Sequence, residues 1–254
     1  MSPTLRLEQL RVCYGSFIAV DGLDLELHRG ELFGLLGPNG AGKSSTIRVL
    51  IGQRRPAAGR VTVAGLDVVR DWDEVKSLFG YVPDRENHFE EFTGRANLAL
   101  FAGLYNVPPA RVQECLVRVE LDEAADVAVR AYSLGMRRKL LLARALLHRP
   151  RVLYLDEPSA NLDVHSIAVV HRILRGLTSE GVTVLMTTHN MPEVEQVCDR
   201  VGILQRGKLV HLQSIAELNA EERLIRVHFR RPPETSTPVH PLPARSRPGS
   251  SLKA

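Results

Sequence analysis

Hydrophobic positions along this chain fall into three successive patterns. Near the start they alternate with polar ones: Leu5 and Leu7 within Leu5–Leu10, Leu23, Leu25 and Leu27 within Asp21–Leu27, and Val61 and Val63 within Arg60–Val63. Period-2 alternation predicts strands with one buried face. In the middle the spacing turns helical. Leu98, Leu100, Phe101 and Leu104 lie between Arg95 and Tyr105, Pro108-Pro109 interrupts, and Val112, Cys115, Leu116 and Val119 follow within Ala110–Glu120 at a period near 3.6. A further helix is expected over Arg137–His148. The last third alternates short apolar runs with helical ones: Val152–Leu155, then Val164–Leu177, Val182–Met186, Met191–Cys198 and Val201–Leu204. Strands alternating with helices predict a mostly parallel sheet covered on both faces.

One apolar run, Leu32-Phe33-Gly34-Leu35-Leu36, leads straight into Gly37-Pro38-Asn39-Gly40-Ala41-Gly42-Lys43-Ser44, and Thr46–Ile51 then reads as the start of a helix. The eight residues fit G-x-x-x-x-G-K-[ST], in the strand–loop–helix setting that pattern requires. Its glycines let the backbone wrap a polyphosphate with several N–H groups turned inward, and the new helix presents its positive end to the same charge. Lys43 can reach the β- and γ-phosphates of a nucleotide, and the Ser44 hydroxyl can bind Mg²⁺. The expected fold is therefore α/β: a phosphate-loop NTPase core on a mostly parallel sheet, with an N-terminal antiparallel β segment and a helical subdomain near residues 85–150.

Three further clusters follow in order. Leu155-Asp156-Glu157-Pro158 ends a buried strand, and acids at the C-terminal end of a central strand face the binding crevice of such sheets. Asp156 can hold Mg²⁺, directly or through water, and Glu157 can orient and polarise an attacking water. Thr187-Thr188-His189 ends the next strand, so His189 should emerge at the same edge and contact the γ-phosphate. Tyr132-Ser133-Leu134-Gly135-Met136 precedes the long helix. Ser133 and Gly135 at a helix N-terminus make a second anion site, which one nucleotide per chain leaves to be completed by a second copy.

Composition changes little of this. Of the net charge of +4, residues 231–254 carry Arg231, Arg245, Arg247 and Lys253 against Glu234, so residues 1–230 are left at +1. A nearly neutral body gives no argument for nucleic acid. Three scattered cysteines, Cys13, Cys115 and Cys198, form neither a metal spacing nor a disulfide framework and are expected as small apolar residues in a reduced compartment. No apolar stretch approaches the ~20 residues of a membrane span, and Met1-Ser2-Pro3-Thr4-Leu5-Arg6 lacks a signal-peptide core, so a cytoplasmic chain is expected. Ser214-Ile215-Ala216-Glu217 is a capping-box pattern that should open a final helix. Leu224–Phe229 could add an edge strand, and the Pro/Ser/Arg-rich residues 231–254 are expected to form a disordered tail.

Taken together, Tyr14, Gly37–Ser44, Ser133–Met136, Leu155–Glu157, Asn161-Leu162-Asp163 and His189, in this order, resemble the ATP-binding subunit of an ABC transporter over residues 4–213. The phrases Gly34–Gly40 and Tyr132–Leu140 resemble more narrowly the stand-alone ATPases of bacterial export systems. The resemblance implies an ATPase domain over residues 4–230, with ATP and Mg²⁺ as cofactors. Tyr14 would stack on adenine, and Gly37, Pro38, Asn39, Gly40, Ala41, Gly42, Lys43, Ser44 and Ser45 would hold the phosphates. Glu157 would be the general base with His189 as its partner. Ser133 and Gly135 would cap the ATP of the opposite subunit, Asp163 would lie at the dimer interface, and residues Asp84 to about Thr93 would face membrane permease subunits at the cytoplasmic side of a membrane. The sequence departs from the family pattern twice. Leu134 replaces a glycine, and Asp84 stands where a glutamine is usual, so it is a candidate Mg²⁺ ligand that would also repel the γ-phosphate. Two rival readings remain: a soluble ATPase of the same superfamily acting on DNA or ribosomes, and a non-hydrolysing regulatory subunit, against which the intact Glu157 and His189 speak.

Overall fold

A computed structural model describes residues 2–220. The expected edge strand over 224–229 and the tail from 231 lie outside the described residues. The first elements are β1 (Leu5–Tyr14), β2 (Phe17–Leu27), β3 (Leu32–Leu36), α1 (Lys43–Leu50), β4 (Ala58–Val63), β5 (Leu66–Asp67), α2 (Trp72–Val75) and β6 (Phe79–Val82). Then come α3 (Gly94–Leu104), α4 (Ala110–Arg118), α5 (Leu134–Leu146), β7 (Val152–Asp156), α6 (Val164–Ser179), β8 (Thr183–Thr188), α7 (Met191–Val197), β9 (Arg200–Gln205), β10 (Lys208–Ser214) and α8 (Ile215–Ala220).

Two sheets form. β2-β1-β4-β5 is antiparallel, and β10-β9-β3-β8-β7-β6 is parallel except for its antiparallel edge strand β10. The central strands β7 and β8 are buried at every position, as strands covered on both faces must be. Their side chains alternate between two cores because successive strand residues point to opposite faces. Phe33, Leu35, Val152, Tyr154 and Leu185 pack with the antiparallel sheet and α1. Leu32, Leu153, Leu155, Val184 and Met186 pack with residues of α3 to α7. The antiparallel sheet buries only one face, which the alternating pattern of β1 records.

The long helix α5 begins at Leu134 rather than at Arg137, because the Ser133 side chain accepts from the Met136 N–H at 3.2 Å and starts the first turn there. The capping box before α8 forms in both directions: Ser214 Oγ accepts from the Glu217 N–H at 3.1 Å, and Glu217 Oε2 accepts from the Ser214 N–H at 3.3 Å. Cys115 and Cys198 are buried free thiols and Cys13 is half-buried. Among the described residues no helix is long and apolar enough to cross a membrane.

Candidate functional site

Three parallel strands end level with one another. Leu36 of β3 lies opposite Thr188 of β8, and Thr187 of β8 lies opposite Asp156 of β7. Because β8 runs between β3 and β7, the loops beginning at Gly37, Glu157 and His189 leave one sheet edge side by side. This is the edge at which ligands bind in open parallel sheets.

The glycines of the first loop divide their work. A Cβ on Gly37 would sit 2.3 Å from the Leu204 carbonyl oxygen, and one on Gly42 would sit 2.5 Å from that of Ala19, so these two admit neighbouring backbone. Gly40 meets nothing within 4 Å but holds φ +79°, a region that favours glycine. The loop is braced by Gly37 N–H to Thr188 O, 3.2 Å, and by Gly207 N–H to Ala41 O, 2.9 Å. α1 has no side-chain cap, and its first backbone bond is Thr46 N–H to Gly42 O. The N–H groups of Gly42, Lys43, Ser44 and Ser45 thus have no acceptor among the described residues, and they open onto the loop as an anion cradle.

Lys43 is 6 % exposed and donates to Gly37 O at 2.6 Å; its Nζ also lies 3.4 Å from Glu157 Oε1. The other carboxylate oxygen of Glu157 is 2.9 Å from His189 Nδ1. Glu157 therefore stands between a cation and an imidazole at the mouth of the loop. Its backbone takes φ +49°, a left-handed conformation costing about 1–2 kcal/mol for a residue with a Cβ. The Glu157 N–H is held by both the carbonyl oxygen and the hydroxyl of Thr187, at 3.1 and 3.2 Å. The same Thr187 hydroxyl donates to Oδ1 of the buried Asp156, which leaves Oδ2 without a partner among the described residues. Sequence spacing marks Thr187 only as a strand residue. Its role follows from strand register, which spacing does not carry.

The free carboxylate oxygen of Asp156 and the exposed Ser44 hydroxyl at the head of α1 are both hard-oxygen donors. Among the described residues no group of three or more His, Cys, Asp or Glu could hold a metal. Two oxygen ligands, with water and phosphate oxygens for the rest, suit Mg²⁺, which seldom uses an all-protein cage. Asp84, the third expected ligand, follows β6. It is exposed, and its Oδ1 accepts from the Arg85 N–H at 2.8 Å. Burial and then the charges of Asp156 and Asp84 push the Tyr81 phenol up to about 12, so both carboxylates act on that one ring.

Tyr14 sits beside α1, its hydroxyl 3.2 Å from Arg48 Nη1 and its ring 4.5 Å below the Arg54 guanidinium. Burial would raise its phenol, but hydrogen bonds from Arg48 and Ser45 and the positive charges nearby bring it below its ordinary value. Ser133, Gly135 and Asp163 form a separate cluster. Asp163 caps α6, accepting from the Ser166 N–H at 2.9 Å and from its hydroxyl at 2.7 Å. A Cβ on Gly135 would sit 2.3 Å from that same Ser166 hydroxyl oxygen. No hydrogen bond or ion pair among the described residues joins this cluster to the phosphate loop.

A family model described as ABC transporter matches residues 20–160. The chain belongs to the ABC transporter family. It is 38 % identical over 213 residues to Nod factor export ATP-binding protein I of Ralstonia nicotianae, covering 82 % of this chain and 66 % of that protein. It is 42 % identical over 212 residues to daunorubicin resistance ATP-binding protein DrrA3 of Streptomyces coeruleorubidus, covering 82 % of this chain and 67 % of that one. A solved structure titled as the ATP binding subunit of an ABC transporter superposes with a TM-score of 0.77 at 26 % identity, over 86 % of this chain and 92 % of its own. The chain spans about two thirds of the length of these curated relatives. ATP-binding members of the ABC transporter family hydrolyse ATP, and this chain is an ATP-binding member of that family.

Proposed function

We propose that this chain binds MgATP at Gly37–Ser45, hydrolyses it with Glu157 as general base, and powers export through separately encoded membrane permease subunits on the cytoplasmic face of a membrane. The observation that carries the reading is the meeting of Lys43, Glu157 and His189 at the phosphate loop, with Glu157 within 3.4 Å of the one and 2.9 Å of the other. The names of the relatives, one for export and one for drug resistance, support the direction of transport and do not favour a soluble ATPase acting on DNA or ribosomes.

In this reading the free N–H groups of Gly42 to Ser45 and the Lys43 ammonium take the β- and γ-phosphates. The phosphate oxygens draw Lys43 from Glu157, so the carboxylate is released to accept a proton from water aligned on the γ-phosphorus. His189, still hydrogen-bonded to Glu157, donates toward the γ-phosphate oxygens. Ser44 and Asp156 would hold Mg²⁺, which would supply positive charge beside the phosphates. Tyr14, backed by Arg54, offers its free face to the adenine. Each chain then lacks a cap over its own γ-phosphate. The N-terminus of α5 at Ser133 and Gly135 supplies that cap to the site of a second copy, or of a paralogous subunit, with Asp163 near the shared boundary. Closure of the pair on ATP and opening after hydrolysis drive the permease.

Glu157→Gln keeps the shape of the side chain but loses the charge that accepts a proton. The variant is expected to bind MgATP with affinity near that of wild type, to lose turnover by roughly 10²-fold or more, and to elute as a dimer with ATP. Near-normal turnover, or a monomer at saturating ATP on size-exclusion chromatography, overturns the proposal.

A further inference from the structure

Behind Glu157 and His189 lies a second carboxylate, which the scheme above does not use. Glu193, on α7, is 5 % exposed, and three other segments converge on it. Its Oε1 accepts from the Ser159 hydroxyl, two residues beyond Glu157, and lies 3.3 Å from Nε2 of His171 on α6. Its Oε2 accepts from the Thr188 hydroxyl at 2.8 Å, immediately before His189. The Thr188 hydroxyl oxygen accepts in turn from the Asn190 N–H at 3.1 Å. Both chain neighbours of His189 are thereby tied to one buried group.

We infer that Glu193 is a positioning residue for ATP hydrolysis: through Ser159 and Thr188 it holds the loops that carry Glu157 and His189 at the separation the reaction needs. The inference rests on the role proposed above for that pair. Its physical basis is the cost of leaving a buried carboxylate without donors, which makes each of these bonds stiff. Burial alone would raise the Glu193 pKa. Hydrogen bonds from His171, Ser159 and Thr188 outweigh it and hold the group below the usual carboxylate range, so it is ionised at neutral pH. The two loops need such a brace. Glu157 is held in a left-handed conformation, which persists only where its surroundings over-determine it. The His189 side chain is 61 % exposed, so its ring is set by Glu157 and by the backbone on either side. The helix that carries Glu193 packs closely over Gly34 of β3. A Cβ there would lie 3.0 Å from Cys198 Sγ and 3.1 Å from Val194, so a larger residue would press α7 outward by a few tenths of an ångström.

The test compares steady-state ATPase kinetics, MgATP affinity and thermal melts for wild type, Glu157→Gln, Glu193→Ala, Glu193→Gln, Thr188→Val and Ser159→Ala. Glu193→Ala is expected to lower kcat by about 10–100-fold while KM and MgATP affinity stay within about threefold, as for a displacement of reacting groups by an ångström or less. Thr188→Val keeps volume and removes one donor, and should lower kcat by about tenfold. Glu193→Gln should recover most of the loss, since its amide oxygen accepts from Thr188 and its NH₂ can donate to the Ser159 hydroxyl oxygen. In a His189→Ala background, Glu193→Ala should cost clearly less than it does in wild type. Unchanged kcat in Glu193→Ala and Thr188→Val overturns the inference. So does a loss that is the same with and without His189, or one that tracks only the folded fraction. If Glu193→Ala fails to fold, Thr188→Val and Ser159→Ala carry the same comparison. Failure of wild type to turn over, or turnover by Glu157→Gln, sinks the proposed chemistry and this role with it. Normal controls with active Glu193 variants sink this role alone.

Discussion

Asp84 shows how a residue can depart from a family pattern and still be held in place by its backbone alone. Its carbonyl oxygen, and that of Pro83, accept from the buried Arg138 at 3.1 and 2.7 Å, whereas its carboxylate turns out to solvent and onto the next N–H. Arg138 stands on α5, within the turns that follow the cap Ser133, so the loop at Asp84 is anchored to a helix and not to its own charge. Removing that charge therefore leaves the loop in place. Asp84→Asn is expected to keep MgATP affinity within about threefold and to alter the turnover stimulated by the permease. Affinity and ATPase rate, each measured with and without permease, check this; a collapse of affinity with unchanged stimulation would make Asp84 a primary metal ligand. Lys43, Asp156, Glu157 and His189 are legible in the sequence because each closely follows or closes a short apolar run. Thr187 and Glu193 are not. Their partners lie up to 34 residues away, brought near by strand register for Thr187 and by the packing of α7 for Glu193.

At the scale of elements, continuous apolar runs announce β3, β7, β8 and β9, and helical spacing announces α3, α4 and α6. The sequence does not announce β6, a four-residue strand whose Gly80 lets α5 approach so closely that a Cβ would sit 2.3 Å from Ala145 O. Nor does it announce β10, which buries no continuous side and leaves Val210 and Leu212 exposed, or the single turn of α2. The junction of α5 with α6 depends on another small residue. Gly135→Ala would drive a Cβ into the Ser166 hydroxyl, which is pinned to Asp163. We expect a loss of about 1–3 kcal/mol, as for overpacking elsewhere, and a melting temperature lower by about 2–12 °C. An unchanged melt would mean that α6 yields without cost.

Across residues 2–220, the parallel sheet lies between the antiparallel sheet and the helices α3 to α7. One edge of that sheet gathers the phosphate loop, Glu157 and His189, while the Ser133–Gly135 helix start belongs to a cluster with no bond to that edge among the described residues. Separating the two halves of a site in this way has a genetic consequence. In the proposed pair of copies, each site draws its loop from one chain and its cap from the other. A Lys43→Ala chain spoils the loop. A Ser133→Asp chain keeps an oxygen for the Met136 N–H but puts negative charge where phosphate should rest. Each variant alone is expected to be inactive. Mixed in equal amounts and allowed to exchange, about half of the pairs combine one of each, and in those both defects fall in a single site and leave the other whole. Recovery of ATP turnover on mixing, absent from either preparation alone, is the expected result, and its absence would place both halves of the site within one chain. Two broken alleles of this protein would then complement each other in the tube.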